Sequence, residues 1–124
     1  MREIGLVAAG GALGAVLRYT IGLFITARVT PGFPWNTLVV NVAGAFLIGV
    51  LMALPLGADM SGAAWRLFLA TGILGGFTTF SALSYESIVL IEHGAVLPGL
   101  ANMFGSGILG LLAAGIGLVV GRAV

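Results

Sequence analysis

The chain has 124 residues, of which 60% are hydrophobic and 7% charged, and a mean hydropathy of +1.20. A water-soluble domain is excluded, because apolar stretches this long and this poor in charge belong in a bilayer. The lack of cysteine removes disulfides and thiolate sites, and a net charge of +1 without any basic cluster gives nucleic acid no footing. Nor do apolar and polar residues alternate over strand lengths, which excludes a membrane barrel. The 21 glycines exceed ordinary usage and suit helices whose backbones approach closely.

In chain order, Met1-Arg2-Glu3 leads into an apolar run from Ile4 to Ala27. A charged start before apolar residues also opens a secretory signal. This run is longer than a signal core and continues past Arg18, so it reads as a first transmembrane helix. Residues 28–36, with Pro31, Gly32 and Pro34, read as a turn. A second span is expected from Thr37 to Leu56, ended by Pro55-Leu56-Gly57-Ala58-Asp59. Residues 59–66 read as a short polar connection. The run from Leu67 to Ile91 is a third span, closing at Glu92-His93-Gly94, and Pro98 opens a fourth that ends near Gly121. The fold class expected is all-α and membrane-spanning, a single domain over residues 1–124 whose loops of under ~10 residues leave no room for another.

The third span is uneven. Residues 71–84 (Thr71-Gly72-Ile73-Leu74-Gly75-Gly76-Phe77-Thr78-Thr79-Phe80-Ser81-Ala82-Leu83-Ser84) place paired glycines and paired threonines at membrane depth. Both have low helix propensity, and the hydroxyls compete for backbone hydrogen bonds. One reading is a helix broken near its middle, tolerated only where the freed groups are buried or line a wet cavity. The other keeps the helix, with glycines for close packing and hydroxyls bonding back one turn.

Catalysis finds no equipment here. His93 is the only histidine and falls at a helix end, where it reads as solvated. Ser81, Ser84 and Ser87 have no histidine or lysine within the membrane to activate them. The chain reads as a non-enzyme with polar residues at costly depths. Arg18 lies roughly fifteen residues into a ~20-residue span, where an arginine costs on the order of 2.5–3.5 kcal/mol. It either snorkels to the nearer interface or places an anion-attracting charge at the mouth of a polar cavity. Gly10, Gly14, Arg18 and Gly22 recur every four residues, which sets the arginine on a small-residue face. Asn41, Ala45, Gly49 and Ala53 repeat that spacing, as do Asn102, Ser106, Gly110 and Ala114. Asn41 serves either as an interhelical hydrogen bond or as an N–H donor to an anion. Three such faces beside a broken helix suggest a polar track.

Gly10-Gly11-Ala12-Leu13-Gly14-Ala15-Val16-Leu17-Arg18-Tyr19, Asn36-Thr37-Leu38-Val39-Val40-Asn41-Val42-Ala43-Gly44 and Gly75-Gly76-Phe77-Thr78-Thr79-Phe80-Ser81 closely resemble motifs of the Fluc (CrcB-like) fluoride channel family, in order and over nearly the whole chain. The resemblance implies a dual-topology, antiparallel homodimer in the lipid bilayer of the plasma membrane, letting fluoride ion leave the cytoplasm through two pores. It further implies a structural Na⁺ at the dimer centre, coordinated by the backbone carbonyls of Gly75 and Thr78. Asn41 and Phe80 match the family's pore asparagine and first pore phenylalanine, and Arg18 its first-helix arginine. Asn102 and Ser106 align more loosely with its polar track, Ser81 and Ser84 join the expected pore lining, and Glu86 matches its glutamate after the phenylalanine motif.

Leu83 stands where the family commonly has a second phenylalanine, so the two-ring lining is not expected intact. Small four-helix multidrug exporters share the length and antiparallel pairing, but rely on a carboxylate within the first helix. Here that helix carries Arg18, the opposite charge. An accessory subunit whose glycines only pack is the third reading. Arg2, Arg66 and Arg122 fall on one side and Arg28 on the other, a weak positive-inside bias that suits insertion in both orientations.

Overall fold

The structure, a computed structural model, describes residues 1–55 and 60–124. Helix α1 (Arg2–Thr26) and helix α2 (Trp35–Ala53) form the first two spans. The third is a chain of pieces. Met60–Arg66 runs into a π-helical stretch, Leu67–Leu74, and then a closing turn, Gly75–Phe77; these together are α3. After two extended residues comes α4 (Phe80–Glu92), and α5 (Val96–Ala123) completes the bundle. Among the described residues, four helical segments, Arg2–Thr26, Trp35–Ala53, Gly62–Glu92 and Val96–Ala123, are long and apolar enough to cross a membrane. The protein is therefore a multi-pass, all-helical membrane protein.

Several boundaries differ from the expected ones. Residues 60–66 are helical rather than a polar connection, and the third span starts that much earlier. Alanine, methionine and arginine are good helix formers, and a single glycine among them does not stop a helix. The expected stop after Pro55 falls largely on residues 56–59, outside the described residues. Gly94, at φ 85°, ends α4 in a Schellman motif. Its N–H bonds the Ile91 carbonyl at 3.0 Å, and Ala95 N–H bonds that of Leu90 at 2.8 Å. His93 is exposed beside it, its Nδ1 2.8 Å from the Val89 carbonyl. At the end of α1, Arg28 lies over the Phe24 ring, 3.4 Å from its centroid, and donates to the Phe24 carbonyl at 3.0 Å.

Glycine decides which helices touch. A Cβ at Gly10 would stand 2.5 Å from the Phe68 carbonyl oxygen and 2.9 Å from Gly72 Cα, while one at Gly14 would strike the Ile73 carbonyl. A Cβ at Gly76 would strike the Gly11 carbonyl. Thus α1 and α3 pack backbone on backbone. On the far side, Gly49 abuts Ala114 of α5, and Gly117 and Gly121 abut Phe46 and Val50 of α2. In lipid, where apolar side chains gain little by meeting each other, such close approach is what holds helices together.

Candidate functional site

The interruption in the third span falls at Thr78 and Thr79. Their backbone is extended, with φ −84°, ψ 157° and φ −152°, ψ 118°. The adjacent glycines, Gly75 and Gly76, remain helical. Both sequence readings therefore hold in part. Gly76 packs closely, and Thr78 Oγ1 donates back one turn to the Leu74 carbonyl at 3.0 Å, yet the helix still ends at Phe77. β-Branched residues lose side-chain freedom in a helix and tolerate extended backbone, so the threonines yield first.

Each group that the break frees needs a partner at this depth. Thr79 acts as the N-cap of α4, its Oγ1 accepting from Ala82 N–H at 3.2 Å and lying 3.2 Å from Ser81 Oγ. The Asn41 amide meets Thr79 on both sides. Its Nδ2 donates to the Thr79 carbonyl at 3.0 Å, and its Oδ1 accepts from the Thr79 N–H at 2.8 Å. Arg18 reaches across from α1, and its Nε donates to the Gly76 carbonyl at 3.2 Å. Arg18 is therefore turned inward toward the break and does not simply snorkel. Among the described residues, no hydrogen bond outside the helices reaches the carbonyls of Gly75 or Thr78.

Two cavities meet at the break. One of about 400 Å³ is lined by Arg18, Tyr19, Asn36, Thr37, Thr79 and Glu86. The other, of about 340 Å³, is lined by Asn41, Gly75, Thr78, Thr79, Phe80 and Leu83 among others. Thr79 borders both. Phe80 is 76% exposed and Leu83 only 7%, so the ring stands on the outer surface of the subunit while the leucine closes the floor beside it. Ser81 is exposed, and Ser84 is half-buried and lines neither cavity.

A separate polar chain lies between α4 and α5. Ser87 Oγ donates to the Leu83 carbonyl at 2.7 Å and accepts from Asn102 Nδ2 at 3.0 Å. Asn102 is fully buried and Ser106 nearly so, and among the described residues neither Asn102 Oδ1 nor Ser106 Oγ has a hydrogen-bond partner. The two residues thus sit inside the subunit and line neither cavity at the break. Ser87, two turns on from Phe80 along the same face of α4, belongs with them. That face meets a cavity at the start of α4 and the packed surface of α5 two turns on.

One pair escaped the sequence reading. Thr37 Oγ1 donates to Glu86 Oε1 at 2.8 Å, tying α2 to α4, while Glu86 Oε2 is buried without a partner among the described residues. The spacing Thr37, Asn41, Ala45 could have revealed Thr37, since it continues the asparagine's stripe by one turn.

Residues 5–118 match the family model described as CrcB-like protein, Camphor Resistance (CrcB). Over 119 residues the chain is 53% identical to a Thermus thermophilus protein named fluoride-specific ion channel FluC, covering 96% of this chain and 93% of that one. A Rhizobium meliloti protein of the same name is 50% identical over 124 residues, covering 100% and 99%. Another so named, from Acidobacterium capsulatum, is 46% identical over 121 residues, covering 95% and 94%. With nearly the whole chain matched in order, this protein belongs to the CrcB-like family.

Proposed function

We propose that this protein is a fluoride-selective channel of the plasma membrane, that it lets fluoride leave the cytoplasm passively, and that it works as an antiparallel, dual-topology homodimer. The observation that carries the reading is the break at Thr78–Thr79, gripped by Arg18 on one side and Asn41 on the other. Backbone of this kind at membrane depth is tolerated where it lines a cavity or is buried in protein. The relatives named fluoride-specific ion channels match the chain across that break.

The donors suit a small anion. Asn41 uses one Nδ2 hydrogen on Thr79 and keeps a second, and Arg18 uses Nε and keeps its terminal amino groups. Phe80, Ser81 and the cavity beside Asn41 lie at the subunit surface. A second copy would close that cavity into a path, with the edge of the Phe80 ring offering its positive rim to the anion. In this reading Ser84, Asn102 and Ser106 continue the polar track beyond the two cavities, Ser106 with a hydroxyl that is free to donate among the described residues. Fluoride is strongly hydrated, so a narrow path must replace water with such donors. Chloride is then refused by size and by mismatched donor spacing.

A structural Na⁺ fits the same break. Gly75 and Thr78 would hold it through their carbonyl oxygens, which no hydrogen bond outside the helices reaches among the described residues, and hard cations are bound by oxygen ligands. When bound, the ion supplies positive charge that biases the interior toward anions. Gly75 lines the outward cavity, and a Cβ there would meet nothing closer than 3.8 Å in its own subunit. Its lack of a side chain is thus not demanded by packing within one chain and suits the approach of another.

A liposome efflux assay with a fluoride electrode tests the function. Rapid passive fluoride release is expected, and proton-coupled cation uptake without it would transfer the protein to the exporter class. Labelling of a cysteine added at one terminus tests the assembly. Both orientations are expected in one membrane, and a single orientation would exclude the antiparallel homodimer.

A further inference from the structure

At the end of the bundle where α1 begins, a groove of about 400 Å³ runs between α1 and α3, lined by Arg2, Leu6, Ala64, Trp65 and Phe68. Neither cavity at the break shares any of these residues. Its walls divide by chemistry. Leu6, Ala64 and Phe68 are apolar, and Trp65 meets Phe68 edge-on, with ring centroids 6.1 Å apart and planes at 75°. Arg2 and the indole N–H of Trp65, both exposed, have no hydrogen-bond or ion-pair partner among the described residues. Glu3, the neighbouring acid, does not line the groove. Two unpaired donors therefore stand beside apolar walls at a helix-bundle end, the level where tryptophan and arginine meet the headgroups of a bilayer.

We propose that this groove is a binding site for an anionic phospholipid, its phosphodiester on the Arg2 guanidinium and the Trp65 N–H, and its acyl chain along Leu6, Ala64 and Phe68. Charge complementarity selects the headgroup, since Arg2 is the one charged residue that lines the groove among the described residues. The apolar walls select a lipid over a free phosphate, which would leave them wet.

The test uses Trp65 as its own reporter. Trp35 is the other tryptophan of the chain, so Trp35→Phe leaves Trp65 as the single emitter. The full-length protein is reconstituted in mixtures of phosphatidylglycerol and phosphatidylcholine, with brominated acyl chains on one lipid and then on the other. Quenching is expected to report a roughly fivefold preference for phosphatidylglycerol, the ratio equivalent to about 1 kcal/mol for one arginine facing an anionic lipid. Arg2→Gln is expected to bring the ratio close to one, while Arg122→Gln, outside the groove, leaves it unchanged. Fluoride efflux from the same vesicles shows that each variant is folded. A preference that survives Arg2→Gln, or falls equally with Arg122→Gln, overturns the site. Competition by inorganic phosphate would mark a free-anion site and overturn the lipid assignment.

Discussion

Asn41 and Thr79 exchange two hydrogen bonds, of 3.0 and 2.8 Å, so that one side-chain amide replaces the helical partners Thr79 has lost. The asparagine thus holds the break open as well as facing the cavity beside it. Asn41→Asp keeps an acceptor for the Thr79 N–H but loses the donor and adds negative charge to the path. It is expected to abolish fluoride flux while the protein elutes from size-exclusion chromatography as the wild type does. Asn41→Ala leaves both Thr79 groups without partners, at about 1–3 kcal/mol each, and is expected to lower the unfolding midpoint as well. Wild-type flux in the aspartate variant would remove Asn41 from the pore.

The α1–α3 seam makes a sharper structural prediction. A methyl group at Gly14 would strike the backbone carbonyl of Ile73, which no rotamer change relieves. Gly107 on α5 has nothing within 4 Å of the same position. Overpacking of this kind costs about 1–3 kcal/mol or more. Gly14→Ala is therefore expected to lose most folded protein in a thermal scan in detergent, and Gly107→Ala to match the wild type. Equal midpoints would show that the seam relaxes.

The sodium proposal predicts a static ion. Prolonged dialysis against Na⁺-free buffer is expected to lower fluoride flux, and Na⁺ is expected to restore it without itself being transported. Unchanged flux and dimer after prolonged removal would leave the Gly75 and Thr78 carbonyls without the assigned role.

Much of this was legible before any coordinates. Four apolar runs announce four spans, and the four-residue recurrence of Gly10, Gly14, Arg18 and Gly22 places Arg18 on the face that meets α3. The site residues around the break, Arg18, Asn41 and Phe80, were all singled out, because polar or broken-helix residues at membrane depth are conspicuous. Other features lacked a local signal. The π-helical course of Leu67–Leu74 leaves no mark in a run that is apolar all round. The Thr37–Glu86 and Ser87–Asn102 bonds join residues 49 and 15 apart, and helical periodicity orders only residues on one helix. The sequence leaves the break shared between the paired glycines and the paired threonines, and only the packing separates the two. Glycines look like breakers in isolation, but here Gly72 and Gly76 serve packing against α1, and the threonines carry the interruption.

The final prediction concerns Phe80 and Leu83, which border the same cavity of about 340 Å³ from opposite degrees of exposure, 76% and 7%. An aromatic ring presents a positive edge and can meet an anion while excluding water. Leucine has no such edge, so Phe80 is expected to be the main aromatic contact in the path. Tyr85, 70% exposed, does not line that cavity. Leu83→Phe adds volume at a nearly buried position, which in a closed core would be destabilising. Here the side chain borders open space, so the larger ring has somewhere to go. The variant is expected to fold and to conduct fluoride at least as fast as the wild type. Phe80→Ile removes the ring from an exposed position with little packing to lose, so its folded yield is expected to hold while flux falls steeply. Liposome efflux on the two variants, side by side with their thermal midpoints, separates conduction from stability. If both positions prove equally tolerant in flux, the edge-on contact is not how this protein passes fluoride.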